Sequence, residues 1–285
     1  MSILINGREV SKALKERLSR EVAELNDKYG RVPGLVVVLV GDDPGSVSYV
    51  TGKAKAATEI GIRNRTIRLP ETTTDKEILD IIAELNGDDD VDGILVQLPL
   101  PKHIDEKAII EAITPDKDVD AFHPYNVARL WLKQPGTVPC TPRGIIKLLR
   151  EANVEIEGKE AVVVGRSNIV GLPVAKLLLD NNATVTIAHS RTKNLAEVTR
   201  RADILIVAVG HARTVTADMI KPGAVVIDVG VNRNEETGKL CGDVEFEGAS
   251  QVASAITPVP GGVGPMTIAC LMENTVESFV RKMKK

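Results

Sequence analysis

Short runs of unbroken aliphatic residues recur along this chain, and stretches with helical spacing lie between them. Residues 35–40 (LVVVLV), 93–98 (GILVQL), 161–164 (AVVV), 204–209 (ILIVAV) and 224–229 (AVVIDV) are too apolar to present a solvated face. Such runs read as strands buried on both sides, the kind found in parallel sheets covered by helices. Strands alternating with helices imply right-handed crossovers and a mostly parallel sheet. Aromatic residues make up only 2% of the 285, so the core is built from Val, Ile, Leu and Ala.

The first helix is marked by Val10, Leu14, Leu18, Val22 and Leu25, and Gly30 and Pro33 end it. After the strand at 35–40 and a turn at 41–45, Ser46 is expected to cap a second helix that Gly61 stops near Ile60. A strand at 62–69, a helix at 75–85 and the strand at 93–98 follow, the last broken by Pro99 and Pro101. Residues 114–142 are irregular and rich in Pro, Asp and His, and a helix at 142–152 links to a second strand series at 161–164, 184–187, 204–209 and 224–229. The last helix is expected to start at Pro265, in the N1 position. The fold class is therefore α/β, with two α/β domains. The boundaries are residues 1–140 plus 265–285 for the first domain and 141–264 for the second.

The 36 basic and 39 acidic residues are spread without a basic stripe, which argues against binding to a nucleic-acid backbone. Cys140, Cys241 and Cys270 form no CxxC pair, so neither a disulfide framework nor a cysteine metal site is expected. No apolar run approaches the ~20 residues that span a bilayer, and the short apolar run at the N-terminus does not make a signal peptide. A cytoplasmic protein with no membrane or nucleic-acid partner is expected.

In the second half, AVVVG runs into GRSNIVGLP and then a helix. Glycines at a strand-to-helix turn let a backbone approach a pyrophosphate, and the helix N-terminus favours the anion. The match to G-x-G-x-x-G is imperfect: Ser167 stands at the second glycine, and Gly171 comes one residue late. A βα turn without a ligand is the plainer reading. NAD sites place an acid about 20 residues on; here the stretch is His189, Ser190, Arg191, with no acid. Arg191, with Arg166 at the first turn, suits a 2′-phosphate, so NADP is favoured over NAD. An exposed, solvated Arg191 is the bland alternative.

In the first half, Tyr49 and Lys53 lie four apart and share a helix face near the carboxyl edge of the sheet, where such sheets bind ligands. Gln97 is a polar interruption in ILVQLPLP, to be hydrogen-bonded if buried, with local backbone as the simplest partner. Asp116, Asp118 and Asp120 crowd one loop, but no EF-hand pattern accompanies them, and no metal is expected. TPVPGGVGPMT, 257–267, opens the last helix; it reads as a ligand-contact loop or as an interdomain turn.

Together YVTGKAKA, DGILVQLPLP, DKDVDAFHP, CTPRG, VVVGRSNIVGLPVA, HSRTKN and PGGVGPMT resemble the signatures of the bifunctional methylenetetrahydrofolate dehydrogenase/methenyltetrahydrofolate cyclohydrolase family, over nearly the whole chain. The resemblance implies oxidation of 5,10-methylenetetrahydrofolate by NADP to the methenyl form, and hydrolysis of that form to 10-formyltetrahydrofolate. It implies two α/β domains flanking a cleft, the first a folate-binding catalytic domain and the second a Rossmann-like NAD(P)-binding domain, and a homodimer. It casts Lys53, Tyr49, Gln97 and Asp120 as catalytic, with Gln97 bonded to Lys53 and Asp120 holding the pterin. Tyr49, Val50, Thr51, Gly52, Lys53, Val96, Gln97, Leu98, Asp120, Pro260, Gly261, Gly262, Val263 and Gly264 would line the folate side. Gly165, Arg166, Ser167, Ser190, Arg191 and Val231 would contact the dinucleotide. Ala121 and Ala128 stand where the family usually has Gly. A lysine assists water attack only when partly neutral; its ordinary pKa is about 10.4, and burial and a cationic substrate lower it. The rival readings are a single-activity NAD(P)-dependent dehydrogenase of another small substrate, such as a shikimate-type acid, and a non-catalytic nucleotide-binding protein.

Overall fold

The computed structural model describes residues 2–233 and 238–284. Lys285, the last residue of the expected final helix, lies outside the described residues. Along the chain run β1 (Ile3–Leu4), α1 (Gly7–Tyr29), β2 (Gly34–Val40), α2 (Pro44–Ile60), β3 (Arg63–Leu69), α3 (Asp75–Gly87), β4 (Gly93–Val96), α4 (Glu106–Ala112), α5 (Pro124–Trp131) and α6 (Cys140–Glu151). Then come β5 (Glu160–Val164), α7 (Gly171–Asp180), β6 (Thr184–Ala188), α8 (Leu195–Thr199), β7 (Ile204–Val207), β8 (Val225–Asp228), β9 (Asn232–Arg233), β10 (Leu240–Cys241), α9 (Phe246–Val252), β11 (Ala255–Ile256) and α10 (Val263–Met283).

Two compact units form. One is Lys12–Cys140 with Ile268–Lys285, the other Met1–Ser11 with Thr141–Thr267. Residues 1–11, which the sequence reading assigned to the first domain, fall in the second unit for a backbone reason. β1 pairs in parallel with β11, and the Arg8 amide donates to the Gly261 carbonyl at 3.2 Å.

The first unit holds a parallel sheet in the order β3-β2-β4. All seven residues of β2 are buried, as its aliphatic run requires of a central strand. Val36, Val38, Val40, Ile94 and Val96 pack with Ile78, Ile82 and Leu85 of α3 and Ile109 of α4. Each such side chain contributes about 1.5–3 kcal/mol on burial. Thr74 and Glu77 close a capping box at the start of α3. The cap of α2 is Asp43, not Ser46: its carboxylate accepts from the Ser46 amide at 2.8 Å, and Pro44 takes the N1 position, so Ser46 lies buried in the first turn.

The second unit holds a six-stranded parallel sheet in the order β1-β11-β8-β7-β5-β6. From β5 the chain passes to β6 on one side, then returns to β7 on the other. The carboxyl ends of β5 and β7 thus flank the point where strand order reverses, the place where open α/β sheets bind ligands. Val162, Val164, Leu205, Val207, Val226 and Ile256 form the core on one face. α10 starts at Val263, so Pro265 is its third residue rather than its first. A proline there still costs nothing, because the first-turn N–H groups have no intrahelical partner. Among the described residues no helix is long and apolar enough to cross a membrane.

Candidate active site

In the first unit α2 carries Tyr49 and Lys53 one turn apart. Lys53 is only 6% exposed, unlike an ordinary surface lysine. Its Nζ donates to Gln97 Oε1 at 2.9 Å. Gln97 follows β4, tied by its own amide to the Val38 carbonyl at 2.8 Å. Its Nε2 donates to the Leu98 carbonyl at 2.5 Å. Local backbone therefore takes one end of this side chain and Lys53 the other. Reversing the amide would set its NH2 against the ammonium.

Residues 117–120 run beside β4: the Ile94 amide donates to the Lys117 carbonyl at 2.8 Å, and Ile94 bridges Asp118. This brings Asp120 within electrostatic reach of Lys53. Burial pushes the Asp120 carboxyl above the usual carboxylate range, against the pull of the Lys53 charge and a hydrogen bond with the Cys140 thiol. Burial, and then the neighbouring Asp120, hold the Cys140 thiol well above its ordinary range, so it stays a donor. Asn274 of α10, fully buried, donates to the carbonyls of Val119 at 2.8 Å and Val138 at 2.9 Å, fixing the backbone ahead of Asp120. Sequence reading missed Cys140 and Asn274 as supports. Only the CTP stretch could have marked the first, and no local pattern marks the second.

Tyr49 is half-buried, and burial raises its phenol. Of the other residues expected on the folate side, Val50 and Val96 are buried, Gly52 and Leu98 half-buried, and Thr51 exposed with its hydroxyl on the Val47 carbonyl. The three aspartates do not converge. Asp118 accepts from the amides of Phe122 and His123 and from Asn126 Nδ2, so it shapes the turn into α5. Among the described residues no group of three His, Cys, Asp or Glu side chains is set to hold a metal ion. Ala121, next to Asp120, is fully buried with φ 61, a left-handed conformation that L side chains adopt at a cost.

In the second unit Gly165 follows β5 with φ 129, and a Cβ there would run into the Ala208 carbonyl. Gly171 opens α7; a Cβ on it would come 2.9 Å from the Arg166 amide and collide with the Gly165 backbone. The late glycine therefore lets helix and strand approach, the usual task of the third fingerprint glycine. Ser167 Oγ accepts from the amides of Val170 and Gly171, both at 3.2 Å, steadying the turn. Arg166 and Ser167 are exposed, as are Ser190 and Arg191 beyond β6 and Val231 beyond β8. The Arg191 amide donates to His189 Nδ1 and the His189 amide to Thr192 Oγ1, a tight turn that leaves Arg191 free to reach outward. A dinucleotide fits these residues: Gly165 lets the turn pass tightly against the Ala208 carbonyl, and the exposed polar side chains of Arg166, Ser167, Ser190 and Arg191 follow the carboxyl ends of β5 and β6.

The loop Pro260, Gly261, Gly262, Val263, Gly264 belongs to the second unit. Gly261 and Gly262 are buried: Gly7 lies against the Gly262 carbonyl, and Gly262 lies against Thr257. Both glycines serve packing at the start of α1, and Pro260 is the exposed residue.

The catalytic-domain model of tetrahydrofolate dehydrogenase/cyclohydrolase matches residues 5–120, and its NAD(P)-binding-domain model matches residues 139–283. The Bifunctional protein FolD of Bacillus anthracis is 58% identical over 281 residues, 99% of this chain and 98% of that one. The bifunctional FolD of Campylobacter jejuni is 50% identical with a TM-score of 0.96, covering 99% of this chain and 100% of that one. A Trypanosoma brucei FolD structure, complexed with NADP cofactor and inhibitor, is 42% identical with a TM-score of 0.96, covering 100% and 99%. Two family models that between them match most of the chain, and a relative 58% identical over nearly its full length, show that the chain belongs to the tetrahydrofolate dehydrogenase/cyclohydrolase family.

Proposed function

We propose that this protein oxidises 5,10-methylenetetrahydrofolate to 5,10-methenyltetrahydrofolate with NADP and hydrolyses the product to 10-formyltetrahydrofolate, with Lys53, Gln97, Asp120 and Tyr49 as the reacting set. The observation that carries the residue assignment is the bond from buried Lys53 to the neutral oxygen of Gln97. When bound, NADP accepts the hydride from the one-carbon bridge. Gly165, Arg166 and Ser167 would hold its phosphates, Ser190 and Arg191 would receive its 2′-phosphate, and Val231 would add a further contact. The chain needs no strong acid for the oxidation, because alignment of the bridge is its main contribution.

Hydrolysis asks more of the side chains. Water attacks the cationic carbon and loses a proton to give a carbinolamine, whose carbon–N5 bond then breaks as N5 takes up a proton, leaving the formyl group on N10. Lys53 assists that loss, and Gln97 Oε1 orients its Nζ without adding charge. Asp120 accepts hydrogen bonds from the pterin edge, and Tyr49 lies along the folate. The folate-side loop 260–264 completes the reading. The assay below separates this reading from a single-activity dehydrogenase of another substrate, and the set of Tyr49, Lys53, Gln97 and Asp120 weighs against a silent nucleotide-binding protein.

A homodimer and a cytoplasmic setting belong to the same proposal. β6 is an edge strand with Ile187 partly exposed, a surface that a second copy can cover. Cys140, Cys241 and Cys270 form no disulfide, as a reducing compartment favours. The test is to add methylenetetrahydrofolate with NADP or NAD and follow both the reduced cofactor and the methenyl absorbance. Reduction of NADP with methenyl absorbance that rises and then decays is expected; no reduction of either cofactor overturns the reading.

A further inference from the structure

Two aspartates outside the reacting set are buried in the second unit. Asp228 closes β8 and Asp243 follows β10, at 3% and 0% exposure. Asp243 Oδ2 accepts from the amides of Val209 at 2.7 Å and Gly210 at 2.9 Å. Its Oδ1 accepts from the His211 amide and from Asn232 Nδ2, both at 2.9 Å. Three successive amides closing on one carboxylate form a nest of the kind that binds anions, filled here by the protein's own side chain.

Asp243 is itself seated on Asp228. The Asp228 carboxylate accepts from the amides of Asp243 and Val244 at 2.9 Å and of Gly230 at 3.0 Å. Below it, the Asp228 amide donates to Thr257 Oγ1 at 2.8 Å. The glycines make room: a side chain at Gly242 would run into the Asp228 carboxylate, and one at Gly230 into Asp243.

The segments joined in this way are those that continue β7 and β8 past the carboxyl edge of the sheet. Ala208, just before the three held amides, presents the carbonyl against which residue 165 must be glycine. Val231 directly precedes Asn232. We propose that Asp243, seated on Asp228, is a positioning residue for the dinucleotide, locking 208–211, whose Ala208 abuts the Gly165 turn, to 230–232 at the carboxyl edge of the sheet. This inference rests on the function proposed above. A carboxylate suits the role because both oxygens only accept; an asparagine would turn its NH2 against the N–H donors.

The test separates binding from hydrolysis, which consumes no dinucleotide. NADPH binding is titrated by its fluorescence, and hydrolysis of methenyltetrahydrofolate is measured apart. With Asp243→Asn the Kd for NADPH is expected to rise about tenfold or more, and the KM for NADP with it, while hydrolysis keeps the parental rate. Asn232→Ala removes one donor of the four and is expected to give a smaller rise in the same direction; it stands in if Asp243→Asn does not fold. Unchanged NADPH affinity in the variants overturns the inference. A parallel loss of affinity and hydrolysis does so too, because it marks general damage to the fold. A parental protein that fails to bind NADPH overturns the functional reading instead.

Discussion

Lys53 directs its Nζ at the amide oxygen of Gln97, 2.9 Å away, so its hydrogen-bonding partner carries no charge. A carboxylate in that place would favour the protonated amine.

Two substitutions follow from that pairing. Lys53→Met is expected to cut methenyltetrahydrofolate hydrolysis by about 10²–10⁴-fold with NADPH binding unchanged. Gln97→Glu is expected to slow hydrolysis by about tenfold or more at neutral pH, because the new charge favours the ammonium over the neutral amine. Stopped-flow decay of methenyl absorbance at neutral pH reads both. Parental turnover in Lys53→Met would remove the lysine from the mechanism.

Arg191 projects from a turn that contains no acid. Arg191→Ala, alone or with Arg166→Ala, is expected to raise the KM for NADP by about tenfold and that for NAD far less. The two cofactors differ only by the 2′-phosphate, so an equal change for both would show that neither arginine meets it.

Ala121 combines a left-handed backbone with a buried methyl. The conformation costs about 1–2 kcal/mol, while burying the methyl returns about 0.8 kcal/mol. Ala121→Gly is therefore expected to change stability by less than about 1 kcal/mol, the two effects nearly offsetting. Ala121→Val adds overpacking of about 1–3 kcal/mol to a conformation that β-branched residues avoid. Urea unfolding of the pair checks this; equal stability of the Val variant and the parent would contradict it.

Asp228 carries its carboxyl at about 6, pushed up by burial. In an unfolded chain it titrates near 3.9. Between about pH 4 and 6 the folded protein therefore holds more proton than the unfolded chain, and this group's contribution to stability falls as pH rises. Its full cost above pH 6 is on the order of 3 kcal/mol. Asp228→Asn loses acceptors and starts less stable, but its deficit against the parent is expected to shrink by up to that amount from pH 4 to 7. Urea midpoints at both pH values decide it; a deficit that does not change with pH would mean an ordinary carboxyl.

Much of this architecture was legible in the residues. β2, β5 and β7 stand where unbroken Val, Ile and Leu run, because a strand covered on both faces leaves no polar position. β1 and β11, two residues each, carry too little pattern to find, and exposed Ile3 and Leu4 look like a frayed terminus. α5 was hidden because His123 and Pro124, its cap and first residue, read as loop punctuation. At the site, Gln97 was visible as a polar interruption of an apolar run, and Tyr49 and Lys53 as a pair four apart on one helix face. Cys140, Asn274, Asp228 and Asp243 act through bonds across long stretches of sequence, which no local spacing encodes.

Each unit is finished by the opposite end of the chain: Met1–Ser11 joins Thr141–Thr267, and Ile268–Lys285 joins Lys12–Cys140. No single cut in the gene can therefore yield the two halves as independent proteins. A ribosome must release the last helix before Asn274 can brace the backbone beside Asp120. Evolution or engineering that sought one activity without the other would have to do so by point substitution, not by fission.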